Sequence, residues 1–299
     1  MNRILHTNGR GDFQEGTYDR PATGSTDIAV RSVMTGVCRS DIDMMTGAFP
    51  CLPLHMQGHE GLGTVVHIGE QVMDVKVGDI VATRGEPAYA DFYNVKKNEY
   101  VKVPEVHPRF ILEPVACGIN IVRQARPLID AKGGTGKRLL LLGSGFLAWV
   151  AYHYLRRAGL DGRYEITVCG GSNRQVWGKE LVPHYYGTFD VVIDLSDKTD
   201  VFDRPILNNE ALIIFGSQKT ITTDFSNLLW KACTMVFPSP RTDQFYDCLL
   251  VAKTMIVGGQ LNVDPFWTQG YDRDTEWRQA FEDGVNRPRG YSRGYITWK

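Results

Sequence analysis

The sequence contains no CxxC pair, and its six cysteines are scattered along 299 residues. Closely spaced cysteines build zinc knuckles and disulfide frameworks, so neither is expected here. The first residues, MNRILHTNGRGDFQEG, lack the apolar core of a secretory signal. Together these absences predict reduced thiols and a cytoplasmic location.

The sequence also lacks an excess of charge of either sign. The 33 Lys and Arg nearly balance the 34 Asp and Glu, for a formal net charge of -1. Nucleic acids and anionic membranes are usually met by clustered basic residues, so neither is a predicted partner. A small-molecule ligand is expected instead.

One uncharged stretch resembles a membrane span, LLLLGSGFLAWVAYHYL over 139–155. It approaches the roughly 20 apolar residues that a membrane helix needs. Because glycines interrupt it at 143 and 145, we expect a buried strand, a glycine turn and a buried helix.

The length predicts two domains, since single hydrophobic cores stop growing at roughly 250 to 300 residues. From about 26 to 116, valine-rich runs punctuated by Gly, Asp and Pro predict antiparallel strands in an irregular barrel. From about 118 to 240, helical stretches separate strands expected at 138–142, 165–169, 189–194, 211–215 and 233–237, which predicts a parallel sheet. The tail adds two amphipathic helices and a last short strand.

The segment LLLLGSGFLAW places G-x-G-x-x-A between a strand and a helix. Its small residues would permit a tight turn, close approach of a pyrophosphate and close helix packing. The helix N-terminus would offer unpaired N–H groups to the phosphates. A structural turn and an S-adenosylmethionine site remain alternatives. The predicted cofactor-binding residues of this turn are Gly143, Gly145, Phe146, Leu147 and Ala148.

The end of the second strand of this region, ITVCGGSNRQ, bears on the choice between NAD and NADP. An NAD site usually has Asp or Glu there, and that carboxylate would repel a 2′-phosphate. This segment has no acid and instead offers Ser172, Asn173 and Arg174, whose guanidinium can bind a phosphate. NADP is therefore favoured, the alternative being an exposed loop in which Arg174 contacts nothing.

Six segments occur in an order that resembles the medium-chain, zinc-dependent alcohol and polyol dehydrogenases: TGVCRSDID, GHEGLGTVVHIG, KVGDIVATRG, ILEPVACGIN, LLLLGSGFLA and FDVVIDLS. The resemblance covers nearly the whole chain. It implies an α/β fold with a GroES-like irregular β-barrel catalytic domain over 1–117 and a Rossmann doubly wound parallel sheet over 118–240. Residues 241–299 would return to the catalytic domain. It also implies a homo-oligomer, dimer or tetramer, with ALIIFGS and CTMVFPS as candidate edge strands.

The resemblance further implies one catalytic zinc with three protein ligands, Cys38, His59 and a carboxylate. Glu113 stands where polyol and sugar dehydrogenases often have a glutamate ligand, and Glu60 resembles a second acid that can exchange with it. The chemistry agrees, because zinc with an open position favours loss of the proton from an alcohol. The alternatives are a buried packing role for Cys38 and a salt bridge for Glu113.

Two further residues match catalytic positions of that family. Ser40 matches a hydroxyl that bonds the substrate oxygen and passes its proton to solvent, with a turn-forming serine as the alternative. Asp41 matches an acid that receives the second N–H of the ligand histidine, with helix capping as the alternative.

The sequence also departs from the family pattern. Only ATRGEPA stands where many relatives have a lobe of four cysteines, so one zinc is expected. Asp43 stands where some relatives have a relay histidine. About fourteen residues separate ITVCGGSNR from FDVVIDLS, which leaves little room for a full helix and a third strand.

The resulting hypothesis is a zinc-dependent NAD(P) oxidoreductase that interconverts a secondary alcohol or polyol, such as a sugar or cyclitol, with its carbonyl. One alternative is a zinc-free NADPH-dependent enone or quinone reductase, although such relatives typically lack the Cys and Gly-His-Glu signatures. Another is a degenerate, non-catalytic nucleotide-binding member, which the shortened cofactor domain keeps open.

Overall fold

The computed structural model describes residues 1–134, 136–197, 206–219, 221, 223 and 225–299. The strands in chain order are β1 Arg3–Thr7, β2 Phe13–Thr17, β3 Ile28–Gly36, β4 Gly61–Ile68, β5 Ile80–Thr83, β6 Phe92–Val95, β7 Tyr100–Lys102, β8 Lys137–Leu142, β9 Tyr164–Cys169, β10 Leu181–Val182, β11 Phe189–Asp194, β12 Leu207–Phe215, β13 Thr234–Val236, β14 Trp267–Asp272 and β15 Arg293–Thr297. The helices are α1 Arg39–Thr46, α2 Glu113–Lys132, α3 Phe146–Arg157, α4 Arg174–Trp177, α5 Phe225–Trp230, α6 Phe245–Val257 and α7 Trp277–Asn286.

The chain divides into two compact units. The first comprises Met1–Ala116 and Tyr246–Lys299, and the second comprises Cys117–Phe245. The C-terminal segment thus packs within the first unit although it follows the second in sequence.

The first unit contains a seven-stranded sheet of order β14-β15-β3-β4-β5-β7, with β6 also paired to β3. Its pairs are antiparallel except β14 with β15, while β1 and β2 form a separate antiparallel pair. Valine and aromatic side chains fill its interior, among them Val30, Val65, Val81 and Tyr93. The valine-rich runs therefore form antiparallel strands, as the sequence predicts.

The second unit contains a six-stranded sheet of order β10-β9-β8-β11-β12-β13, in which every pair is parallel. In chain order this is third, second, first, fourth, fifth and sixth, the doubly wound arrangement of dinucleotide-binding folds. Alternate residues of β8 enter two separate cores, Leu139 and Leu141 in one, Leu140 and Leu142 in the other. The predicted α/β class with a doubly wound parallel sheet is confirmed.

The region between β9 and β11 is short, as the sequence suggests. It holds the four-residue helix α4 and the two-residue strand β10. A small third strand is thus present where the sequence left little room for one. Of the two candidate edge strands, β12 lies inside the sheet between β11 and β13, whereas β13 lies at its edge.

The uncharged stretch over 139–155 forms most of β8, the glycine turn and most of α3. Among the described residues, no helix is long and apolar enough to cross a membrane.

Candidate metal centre and nucleotide-binding turn

Strand pairing brings Cys38 beside the His59-Glu60 pair. β3 and β4 are antiparallel, with Thr35 opposite Gly61, and the Gly36 N–H donates to the Glu60 carbonyl at 2.9 Å. Cys38 follows the end of β3 as the N-cap of α1, and Glu60 directly precedes β4. The signatures TGVC and GHEG therefore meet at one end of this strand pair.

Cys38, His59 and Glu60 form a cluster that can hold a metal ion. One ligand atom from each lies within 4.8 Å of the other two. Glu60 is fully buried, while Cys38 and His59 are partly exposed. Zinc takes thiolate, imidazole and carboxylate donors at about 2.0 to 2.3 Å, so the donor set suits this ion. Among the described residues, this is the only such group of three or more side chains.

Two glycines leave space for this cluster. A Cβ on Gly36 would overlap the Glu60 carboxylate. Gly58 has a φ of 74°, and a Cβ there would lie 2.6 Å from the Tyr89 ring. Both positions favour glycine, since larger residues would displace Glu60 or strain the turn before His59.

Asp41 connects the cluster to helix α1. Its Oδ2 accepts hydrogen bonds from the Tyr89 hydroxyl at 2.7 Å and from the Cys38 N–H at 3.2 Å. Its Oδ1 lies 3.9 Å from Nδ1 of His59 and has no hydrogen-bond partner within the described part of the chain. Asp41 thus caps the helix and also faces the histidine, which leaves Nε2 of His59 as the nitrogen directed away from this acid.

Arg293 forms a buried ion pair with Glu60. A guanidinium nitrogen donates to Oε2 of Glu60, and the guanidinium carbon lies 4.9 Å from the centre of the Trp267 ring. The other Glu60 oxygen, Oε1, is buried without a hydrogen-bond partner in the described residues. Arg293 and Tyr89 are not predicted from the sequence, because nothing in their local sequence distinguishes them from other strand and turn residues.

The electrostatics of the cluster favour a cation. Burial raises the pKa of the Cys38 thiol, and the nearby Glu60 carboxylate raises it further. Burial acts to lower the pKa of His59, but Cys38 and Asp41 outweigh it, so this pKa lies well above its usual value. Burial also raises the pKa of Asp41. A bound divalent cation would favour the thiolate form of Cys38.

Ser40 and Glu113 lie on two different helices. The Ser40 hydroxyl donates to Sγ of Cys38 at 3.2 Å, so it lies against the candidate metal ligand. Glu113 is buried at the start of α2 and raises the pKa of both His59 and Arg293. Within the described residues, however, the cluster with ligand atoms inside 4.8 Å comprises Glu60 and not Glu113.

Asp43 also lies on α1, where some relatives have a relay histidine. Its Oδ1 accepts a hydrogen bond from Nε of Arg39 at 2.8 Å. This carboxylate therefore pairs with an arginine one turn earlier in the same helix.

The glycine turn of the second unit lies between β8 and α3. Gly143 has a φ of 111°, and a Cβ there would lie 2.7 Å from the Leu195 carbonyl, so this position requires glycine. Gly145 is the N-cap of α3, and its missing Cβ faces open space. Phe146 and Ala148 are buried, and Leu147 is partly buried. The turn thus places the N-terminus of a twelve-residue helix behind an open glycine.

The loop after β9 is held against this turn. The Ser172 hydroxyl lies 3.0 Å from the Ser144 hydroxyl, and Asn173 donates to the Ser144 carbonyl at 3.0 Å. Asn173 has a φ of 53° and is the N-cap of α4, which begins at Arg174. Arg174 is exposed and makes no ion pair with any described residue. Its guanidinium is therefore available to a ligand.

A two-unit chain with a doubly wound sheet and a Cys-His-Glu cluster has a dehydrogenase-like architecture. Residues 24–107 match the family model described as the alcohol dehydrogenase GroES-like domain. An alcohol dehydrogenase of Schizosaccharomyces pombe is 36% identical over 301 residues, covering 88% of this chain and 79% of the relative. The chain belongs to the medium-chain alcohol dehydrogenase family.

Other relatives match in part or in fold alone. An alcohol dehydrogenase of Moraxella is 28% identical over 189 residues, so the match spans 53% of this chain and 55% of that relative. The 2R,3R-butanediol dehydrogenase of Bacillus subtilis superimposes with a TM-score of 0.75 at 18% identity and covers 100% of both chains. The GroES-like and Rossmann-type fold is thus supported by sequence similarity and by structural similarity.

Proposed function

We propose that this protein is a zinc-dependent NAD(P) oxidoreductase that interconverts a secondary alcohol or polyol with its carbonyl compound. The observation that carries the proposal is the convergence of Cys38, His59 and Glu60 within 4.8 Å. A structural role alone does not account for a thiol, an imidazole and a buried carboxylate at one point. The Bacillus neighbour, named for butanediol, supports a hydroxylated substrate.

The residues of the cluster fit a zinc ion. Two buried carboxylate oxygens, Oδ1 of Asp41 and Oε1 of Glu60, lack hydrogen-bond partners among the described residues. Buried anionic oxygens without partners are costly, and a cation offsets that cost. We assign Cys38, His59 and Glu60 as ligands, with Glu113 as the carboxylate that can replace Glu60. Bound zinc would polarise the substrate hydroxyl and favour loss of its proton.

The chain's own residues would orient the substrate and move its proton. The Ser40 hydroxyl, 3.2 Å from Sγ of Cys38, is placed to accept a proton from an alcohol bound beside the thiolate and to donate its own onward. Asp41, 3.9 Å from Nδ1 of His59, would hold that ring in orientation. Arg293 would hold the Glu60 carboxylate in place through their ion pair.

For the cofactor we propose NADP in preference to NAD, as acceptor of the hydride from the substrate carbon. The turn over Gly143, Gly145, Phe146, Leu147 and Ala148 would bind the pyrophosphate. The exposed Arg174 and the hydroxyl of Ser172 would bind the 2′-phosphate of the adenosine ribose. No carboxylate occupies the end of β9 to repel that phosphate.

A direct test is oxidation of secondary alcohols, polyols, sugars and cyclitols by the purified full chain, with NADP and with NAD, followed at 340 nm. The proposal predicts turnover that is lost in Cys38→Ser while the circular dichroism spectrum is unchanged. Full activity in Cys38→Ser would favour the zinc-free reductase. Absence of turnover with every substrate would favour a nucleotide-binding protein without catalysis.

Self-association and a cytoplasmic location remain predictions. The edge strand β13 is followed by Phe237, which is 66% exposed and stacks on Phe215. We propose that a second copy pairs along this edge in a dimer, or in a tetramer built from dimers. Light scattering of the parent and of Phe237→Lys, which places a charge beside this edge, tests this.

A further inference from the structure

Ser144, the residue between the first two glycines of the turn, accepts hydrogen bonds from three residues of the loop after β9. Its hydroxyl oxygen accepts from the Ser172 N–H at 3.0 Å and lies 3.0 Å from the Ser172 hydroxyl. Its carbonyl accepts from Asn173 at 3.0 Å and from the Trp177 indole at 2.9 Å. Ser144 is only 3% exposed, so these contacts occur away from bulk water.

The loop packs closely against the Ser144 side chain. A Cβ on Gly170 would lie 2.5 Å from Oγ of Ser144, so glycine is required where the loop leaves β9. Gly170 and Gly171 otherwise make this a segment of high conformational freedom, which costs free energy to fix. The hydrogen bonds to Ser144 oppose that freedom.

The same contacts determine where Arg174 begins its helix. Asn173 adopts a left-handed conformation, with φ 53°, while its amide is bonded to the Ser144 carbonyl. Trp177 closes the short helix α4 and is bonded to that carbonyl as well. The backbone that carries Arg174 is therefore bonded to Ser144 on both sides, through Asn173 and through Trp177.

We infer that Ser144 is a positioning residue for recognition of the adenosine 2′-phosphate, acting through Ser172 and Arg174. This inference rests on the proposed NADP function and deepens it. Ser144 does not contact the phosphate. Its hydroxyl fixes the Ser172–Arg174 segment, so that the preference for a 2′-phosphorylated nucleotide depends on a residue of the pyrophosphate turn.

The test compares two probes that differ only in the 2′-phosphate, adenosine 2′,5′-bisphosphate and adenosine 5′-monophosphate. Their dissociation constants are measured by calorimetry for the full-length parent and for Ser144→Ala, which removes the hydroxyl but keeps the carbonyl contacts. One hydrogen bond contributes about 0.5 to 1.5 kcal/mol, so the bisphosphate should bind about 2- to 10-fold more weakly. The monophosphate should change by less than about twofold.

Three variants make the result specific. Arg174→Ala should abolish most of the preference for the bisphosphate. The Ser144→Ala/Ser172→Ala double variant should lose no more preference than the larger single effect, since the two hydroxyls act as one unit. Ser217→Ala, a matched loss of a hydroxyl that donates to the Ser196 carbonyl at 3.0 Å, should change neither constant.

The inference is overturned if Ser144→Ala weakens both probes equally, if it weakens neither, or if the parent shows no preference for the bisphosphate. Calorimetry needs no turnover, so this outcome is separable from the proposed function. A selective loss in a protein that oxidises no alcohol would retain the inference and reject the dehydrogenase. If the protein oxidises alcohols but Ser144→Ala weakens both probes equally, the dehydrogenase function is retained and the inference about Ser144 is rejected.

Discussion

The guanidinium of Arg293 is bonded to the buried carboxylate of Glu60 although 233 residues separate them in the sequence. The pair joins the last strand of the chain to the turn that carries the candidate zinc ligands. Since Oε1 of Glu60 is free of other hydrogen bonds among the described residues, this carboxylate can face a cation and a guanidinium at once. We therefore expect the pair to contribute to stability and, in the proposed metal centre, to metal binding.

Replacing Arg293 should make the thermal stability of the protein more dependent on bound zinc. Arg293→Met leaves a buried carboxylate unpaired, which costs about 3 to 5 kcal/mol in the metal-free protein. Bound zinc supplies another positive charge, so zinc should raise Tm more in the variant than in the parent. Thermal unfolding after chelation and after zinc addition measures this.

The matched control is Arg273→Met. Arg273 is also buried, but it pairs with Glu15 outside the cluster. The Arg273→Met substitution should lower Tm by the same amount with and without zinc. An equal response of the two variants to zinc would show that the Arg293–Glu60 pair is unrelated to the metal.

The two candidate carboxylate ligands should differ in their effect on zinc affinity. Loss of a residue that only supports a metal site costs about 10- to 100-fold in affinity, and a direct ligand costs more. Glu60→Gln should therefore weaken zinc binding by more than about 100-fold, and Glu113→Gln by less. Competition with a chromophoric chelator gives both constants. The reverse order would assign Glu113 as the third ligand.

Ser40 should affect turnover without affecting the metal. Ser40→Ala removes the hydroxyl on Sγ of Cys38, and loss of a proton-relay group lowers kcat by about 100-fold or more. Ser40→Thr keeps a hydroxyl and should retain much of the activity. Zinc content should equal that of the parent in both. Parental kcat in Ser40→Ala would remove Ser40 from the relay.

A buried ion pair should stabilise the second unit. Lys219, in the segment after β12, bonds Asp194 at the end of β11, and their side chains are 7% and 0% exposed. Lys219→Met should cost about 3 to 5 kcal/mol in urea unfolding. Lys137→Met breaks a pair whose lysine is 44% exposed, so it should cost at most about 1 kcal/mol. Similar costs for both would argue against a tightly buried pair at Asp194.

Much of the fold could be predicted from local patterns. The apolar runs of β8 and β11 and the amphipathic helices α6 and α7 lie where periodicity places them, because their burial follows directly from side-chain spacing. β12 begins at Leu207 rather than 211, since Leu207 pairs with Phe189 across a register shift. Long-range pairing of this kind has no local signal.

The site was predictable only in part. The proximity of Cys38 to His59 is implied by the order of the family segments. Arg293 and Tyr89 were not predictable, because each reaches its acid only through the tertiary packing of distant strands and turns. Likewise, the position of Glu113 in ILEP does not reveal how far its side chain reaches, and the structure instead brings Glu60 into the cluster.

The most direct test of the account is the metal content of the full chain, measured by elemental mass spectrometry on protein purified without added metal or chelator. We expect close to one zinc per chain in the parent and essentially none in Cys38→Ser. Essentially no zinc in the parent, together with failure to bind supplied zinc, would contradict the assignment of Cys38, His59 and Glu60 as a metal centre.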